Sequence, residues 1–68
     1  MIWFDGVHMA SDVSIEELLE QAEIMGIRLK RMHKSKIPHF DILGSNLSKV
    51  KKNCSSKDLV RKCRDAYR

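Results

Sequence analysis

The sequence predicts a small α/β domain, a single-layer sheet of short, mostly parallel strands with about three helices. Three observations predict it. Short apolar or alternating stretches near residues 1–4, 7–10, 27–31 and 37–42 have the length of strands. Ile15, Leu18, Leu19, Ala22 and Met25 form one apolar stripe at helical spacing. Two further helical segments open on serine or asparagine in the second half of the chain. Strand and helix in alternation are the pattern of parallel pairing through helical crossovers. In open sheets of that kind a site forms at the carboxyl ends of the strands.

Met1–Phe4 is apolar and aromatic, Asp5-Gly6 reads as a turn, and Val7–Ala10 is apolar again, so a hairpin is expected. Trp3 and Phe4 suit a core or a subunit interface, and a stacking surface for a base is the sharper alternative. Ser14-Ile15-Glu16-Glu17 is a capping box, and Val13 and Leu18 are spaced as a hydrophobic staple. Glu16, Glu20 and Glu23 share the wet face, which gives them a solubility role. Gly26 followed by Ile27 closes the helix as a Schellman motif would.

Ile27-Arg28-Leu29-Lys30-Arg31 alternates apolar and basic residues, as a half-buried strand does. His33–Lys36 is a polar loop, and Pro38 biases Ile37 toward extended geometry, so His39–Ile42 reads as a brief strand. After the turn Leu43–Asn46, Ser45 or Asn46 caps a short helix running to about Lys52. Asn53-Cys54 is a very short strand at most. Ser55 or Ser56 caps the last helix. Its buried stripe is Leu59, Val60, Cys63, Ala66 and Tyr67, and Lys57, Arg61, Lys62, Arg64 and Arg68 face water or a partner.

Sixty-eight residues make one domain, 1–68. A chain this short buries only about 60% of its unfolded surface, so a homo-oligomer or a bound ligand is expected to supply stability. The net charge of +4 conceals an asymmetry: residues 1–25 carry −6, with no Lys or Arg, and residues 26–68 carry +10. The basic part favours anionic partners. No apolar run approaches the length of a membrane span and no export signal is visible, so the expected location is the cytoplasm, that of a host cell if the protein is viral. Cys54 and Cys63 lack the close spacing of a zinc or redox pair and read as reduced thiols. No cofactor is expected.

Two histidine–carboxylate pairs stand out, His39-Phe40-Asp41 after Pro38, and His8 with Asp12. Two imidazoles and two carboxylates suit a divalent metal, with His33 able to join, although the spacing matches no recognised metal motif. A histidine oriented by a carboxylate suits acid–base catalysis, but no serine or cysteine nucleophile stands in a matching frame. Helix N-termini, histidines and clustered cations also hold phosphates without chemistry. Ser14, Ser45 and Asn46 are expected at such termini, and Arg28, Lys30, Arg31, Lys34 and Lys36 lead into Pro38.

This third reading is preferred. Its ligand-binding set is His8, Asp12, His39, Asp41, Arg28, Arg31, Lys36, Ser45 and Asn46, with no catalytic or metal residue assigned. Asp12 and Asp41 would orient the histidines or bond ribose and base donors. Binding is placed ahead of catalysis. A small His/Asp hydrolase or nuclease is one alternative. DNA binding by the basic last helix is another. The plainest alternative is that the histidines and aspartates only cap helices and shape turns.

His8-Met9-Ala10-Ser11-Asp12, Glu16-Glu17-Leu18-Leu19, Gly26-Ile27, Pro38-His39-Phe40-Asp41 and Ser55-Ser56-Lys57-Asp58-Leu59-Val60-Arg61-Lys62 occur in that order over nearly the whole chain. In this it resembles a small family of unknown function found in bacteria and many of their tailed phages. The family's usual insert after the first strand is nearly absent here, and Lys30-Arg31-Met32 replaces an aromatic position. The resemblance implies an intracellular protein, often viral, and implies no reaction. Taken with size and charge, it leads to an expected role: sequestering a phosphorylated small molecule, such as a cyclic nucleotide immune signal, against host antiphage defence.

Overall fold

Asp5 and Gly6 turn the first two strands into a hairpin, as the sequence predicts. In the computed structural model, which describes residues 1–67, β1 (Ile2–Phe4) and β2 (His8–Ser11) pair antiparallel, with Trp3 opposite Ala10 and Phe4 opposite Met9. Gly6 takes φ of 104°, a region that side chains disfavour. Arg68, expected on the wet face of the last helix, lies outside the described residues.

A third strand, β3 (Phe40–Asp41), pairs with the other side of β2, setting Asp41 opposite His8 and Phe40 opposite Met9. Both pairings are antiparallel, which corrects the expectation of mostly parallel strands. The error arose at residues 27–31. A strand there would have completed a crossover from β2, but only Ile27 is buried and Leu29 is exposed, so no half-buried face forms. The Ile27 amide is already committed to the Ala22 carbonyl, and Leu29–Arg31 winds into a single 3-10 turn.

Helix α1 (Ile15–Ile24) starts at Ser14, whose hydroxyl accepts from the Glu17 amide at 3.1 Å. The other half of the capping box is rerouted. Glu17 accepts from the Ser11 hydroxyl at 2.7 Å, and the Ser11 oxygen accepts from the Val13 and Ser14 amides. Val13 stays exposed, so the staple to Leu18 does not close. At the far end Gly26 adopts φ of 76°, its amide donates to Glu23, and Ile27 donates to Ala22, which is the expected Schellman close.

Strand periodicity divides the core into two layers. Phe4, Met9, Phe40 and Ile42 point to one face and meet Leu18, Ala22 and Met25 of the α1 segment. Trp3 and Ala10 point to the other face and meet Leu59 and Cys63 of α2 (Ser56–Cys63). The sheet therefore lies between the two helices. Ser55 caps α2, accepting from the Asp58 amide at 3.1 Å. A 3-10 turn, Arg64–Tyr67, continues from α2, and its Tyr67 hydroxyl donates to the Ser11 carbonyl. Trp3 is committed to this layer: its indole N–H donates to Asp12 at 3.0 Å and the Lys62 ammonium lies 4.4 Å over its ring.

Two smaller expectations also change. The segment after β3 is a 3-10 helix, Gly44–Lys49, that begins at Leu43 without a side-chain cap, so neither Ser45 nor Asn46 caps it. Asn53 forms no strand, but it seals the outer edge of β1. Its amide donates to the Phe4 carbonyl, its Oδ1 accepts from the Phe4 amide, and its Nδ2 donates to the Ile2 carbonyl.

Candidate functional site

His39 and Asp41 are two residues apart in extended chain, so their side chains leave the sheet on one face. The register of β2 against β3 sets His8 directly opposite Asp41. His33 joins from the preceding loop, where it and His39 exchange backbone hydrogen bonds of 2.8 and 3.2 Å. Three imidazoles thus surround one carboxylate. His8 Nε2 and His39 Nε2 lie 3.8 and 3.7 Å from Asp41 Oδ1, and His33 Nε2 lies 3.3 Å from Oδ2. The His33 and His39 rings stack at 5.2 Å, and the His8 ring meets His39 edge-on at 5.3 Å.

The far nitrogen of two of these rings is held by the protein. His8 Nδ1 is 2.9 Å from Asp5 Oδ2. Asp5 is buried and also accepts from the Val7 and His8 amides at 2.8 and 2.6 Å and from the Ser56 hydroxyl at 2.7 Å. Burial would raise its carboxyl pKa, but the bonds from the His8 amide and ring, Ser56 and Val7 outweigh that and hold it well below the ordinary carboxylate value. A carboxylate only accepts, so His8 Nδ1 carries the proton there. His39 Nδ1 lies 2.8 Å from the Ile37 carbonyl, which likewise only accepts. The Ser35 hydroxyl donates to the same carbonyl at 2.8 Å, fixing the loop on both sides of Pro38. With Nδ1 as the donor, the lone pair of each ring in its neutral form lies on Nε2, toward Asp41.

Among the described residues, His8, His39 and Asp41 have donor atoms close enough to share one ion, all within 4.8 Å of one another. The cluster stands between two hollows. One, of about 440 Å³, is lined by His8, His39, Lys36 and Ser56 and by the apolar side chains of Ile37, Leu59 and Val60. The other is lined by His33, Asp41, Lys30, Arg31, Met32 and Leu43.

Of the residues expected to form the site, His8, His39 and Asp41 come together, with Lys36 in the first hollow and Arg31 in the second. Asp12 does not join them. It stands four residues beyond His8 along an extended strand, a separation of about 13 Å. There it accepts from Trp3 and lies 2.8 Å from the Met1 amino group. The Met1 amino group first, and then Trp3, hold its carboxyl below the usual range. Arg28 lines a separate hollow with Arg31 and Asn46, while Ser45 is engaged through its carbonyl with the Ser48 hydroxyl. The 3-10 helix starts after Leu43, so Ser45 and Asn46 lie within its first turn and not at its cap.

Asp5 is the functional candidate that sequence reasoning missed, because Asp-Gly had already been assigned to the turn. Its position three residues before His8 was the available signal, since an aspartate in a turn bonds amides just downstream. His33 was recognised only as an optional member. Its pairing with His39 depends on how the loop closes.

No curated protein and no solved structure matches the chain. No helix among the described residues is long and apolar enough to cross a membrane. A family match does exist and runs from residue 1 to residue 65, across both strands of the hairpin, the histidine cluster and α2. On that match the chain belongs to the family described as "Protein of unknown function (DUF4031)".

Proposed function

We propose that the protein binds a phosphorylated small molecule, a nucleotide being the first class to test, in the hollow between the 33–39 loop and α2. The carrying observation is the flanking of the cluster by cations on both sides, Lys36 in one hollow and Lys30 with Arg31 in the other. Ile37, Leu59 and Val60 offer apolar lining for a base or another ring. A volume of about 440 Å³ falls within the roughly 300–1,000 Å³ of small-ligand sites. The basic balance of residues 26–68 draws anions toward this end of the chain.

The ligand is held rather than turned over in this reading. For a phage-encoded copy, such holding would serve to sequester a nucleotide signal of host defence. Self-association belongs to the same proposal. Ile24, Val13 and Leu47 remain exposed, and light scattering on the purified protein tests whether copies cover them.

The test is calorimetric titration of the purified protein with mono-, di- and cyclic nucleotides, followed by chromatography of the recovered ligand. Saturable binding that Lys36→Glu weakens, with the ligand recovered intact, supports the proposal. A ligand recovered cleaved replaces sequestration with catalysis. No binding by any member of the panel refutes it. A second reading has its own observation: Lys57, Arg61 and Arg64 of the α2 segment line a further hollow together with Val60. Retention on DNA that falls steeply with salt would favour that reading.

A further inference from the structure

We infer that His8, His39 and Asp41 form a three-ligand site for a divalent transition-metal ion, with zinc as the reference case. The inference goes beyond the anion-binding proposal and stands without it, because cation binding requires no organic ligand.

The first argument is the direction of the donors. Asp5 and the Ile37 carbonyl each engage an Nδ1 and leave the two Nε2 lone pairs facing a carboxylate oxygen. Three acceptors aimed at one another repel unless a cation or a proton lies between them. The second argument is distance. At 3.7 and 3.8 Å the Nε2···Oδ1 separations are too long for hydrogen bonds. Ligands bound to zinc at about 2.0–2.1 Å in tetrahedral geometry lie about 3.3–3.4 Å apart. The two Nε2···Oδ1 separations reach that spacing after a contraction of a few tenths of an ångström, and all three donor atoms lie within 4.8 Å of one another.

The surroundings fit the same assignment. A metal-bound histidine commonly gives its other N–H to a carboxylate or a backbone carbonyl, and His8 and His39 show one of each. His33 stands by the second oxygen of Asp41 and acts as a positioning residue that turns Oδ1 toward the two rings. Two imidazoles and one carboxylate select transition metals over magnesium or calcium, which prefer oxygen ligands throughout. Three protein ligands leave a fourth position open, as in sites that receive a further ligand. His8 and His39 also line the 440 Å³ hollow, so a phosphoryl oxygen bound there would complete the coordination sphere.

The experiment is titration of chelator-stripped protein with Co²⁺ and Zn²⁺, read by calorimetry and by the visible absorption of Co²⁺. The expected result is one ion per chain, with a visible spectrum of tetrahedral type and no sulfur-to-cobalt charge-transfer band. His39→Gln and Asp41→Asn should abolish binding at concentrations that saturate the parent protein, and Asp5→Asn should weaken it about 10–100-fold. Asp41 is exposed, so Asp41→Asn preserves the fold, and far-UV circular dichroism checks this. No binding overturns the inference. So does binding that survives Asp41→Asn in the folded variant, or binding that Cys54→Ser removes. Nucleotide titration of the stripped protein separates the two proposals: absence of nucleotide binding there refutes the anion reading alone, and the metal reading is decided by the metal titration alone.

Discussion

Asp5→Asn removes a charge without removing volume, and the structure indicates how much it should cost. The Asp5 side chain is 1% exposed, and its two oxygens accept four hydrogen bonds, two on each. In the variant the oxygen facing the Val7 and His8 amides can remain. The other becomes an NH₂ that faces two donors, the His8 ring N–H and the Ser56 hydroxyl. Hydrogen bonds to charged acceptors contribute about 1.5–3 kcal/mol each, but Ser56 and His8 can both turn toward water, so about 2 kcal/mol is the expected loss. A chain of this length has about 3–10 kcal/mol of total stability. The corresponding fall in melting temperature is about 8–16 °C, read by circular dichroism with urea titration as a second measure.

The pH dependence gives an independent check. The Asp5 carboxyl titrates lower in the folded chain than when unfolded, so its contribution is present above the unfolded value and is lost as pH falls below about 4. Asp12, Glu17 and Asp58 are also held low, so parent and variant share part of the acid slope. The difference between the two curves isolates Asp5 and should shrink toward acid pH. A variant within about 0.5 kcal/mol of the parent at neutral pH, the range of an indifferent surface change, would refute the reasoning.

Gly26→Ala should cost about 1–2 kcal/mol in urea unfolding, because φ of 76° is left-handed while the nearest atom to an added Cβ, the Lys49 ammonium, is 4.0 Å away; the penalty is backbone strain rather than a clash. Asn53→Ala should cost about 1–3 kcal/mol and speed amide exchange at Phe4, whose N–H loses its acceptor. Burial pushes the Cys63 thiol up to about 11, so a thiol reagent should modify Cys63 only as fast as the chain opens, and at a rate that rises with urea.

The legible parts of the sequence were those settled by neighbours along the chain. The Ser14 cap, the Gly26 close and the Ser55 cap each depend on residues within a few positions, and each is formed. The Asp5-Gly6 hairpin was legible for the same reason. Strand direction was not, because it depended on whether Ile27–Arg31 would find a surface to half-bury against, which alternation alone does not decide. Half of the site was visible as the two-residue spacing of His39 and Asp41. The other half depended on which strand became their neighbour. Pairing His8 with Asp12 treated closeness in sequence as closeness in space, whereas an extended strand drives residues four apart to opposite ends of the sheet. The antiparallel register instead brought Asp41 to His8 and left Asp12 with Trp3.

The hydrogen-bonded pair at His33 and His39 turns residues 33–39 into a stapled ring that carries its histidines at the base and Lys34, Ser35 and Lys36 farther out. The closing cost of such a ring rises slowly with its circumference, by about 0.6 kcal/mol for each doubling of length. The outer residues can therefore be lengthened or exchanged while the base keeps its pairing, provided the Ile37 carbonyl still receives the His39 ring. Ligand preference and the integrity of the cluster thus become separable properties, the first carried by the replaceable rim of the ring and the second by its staple.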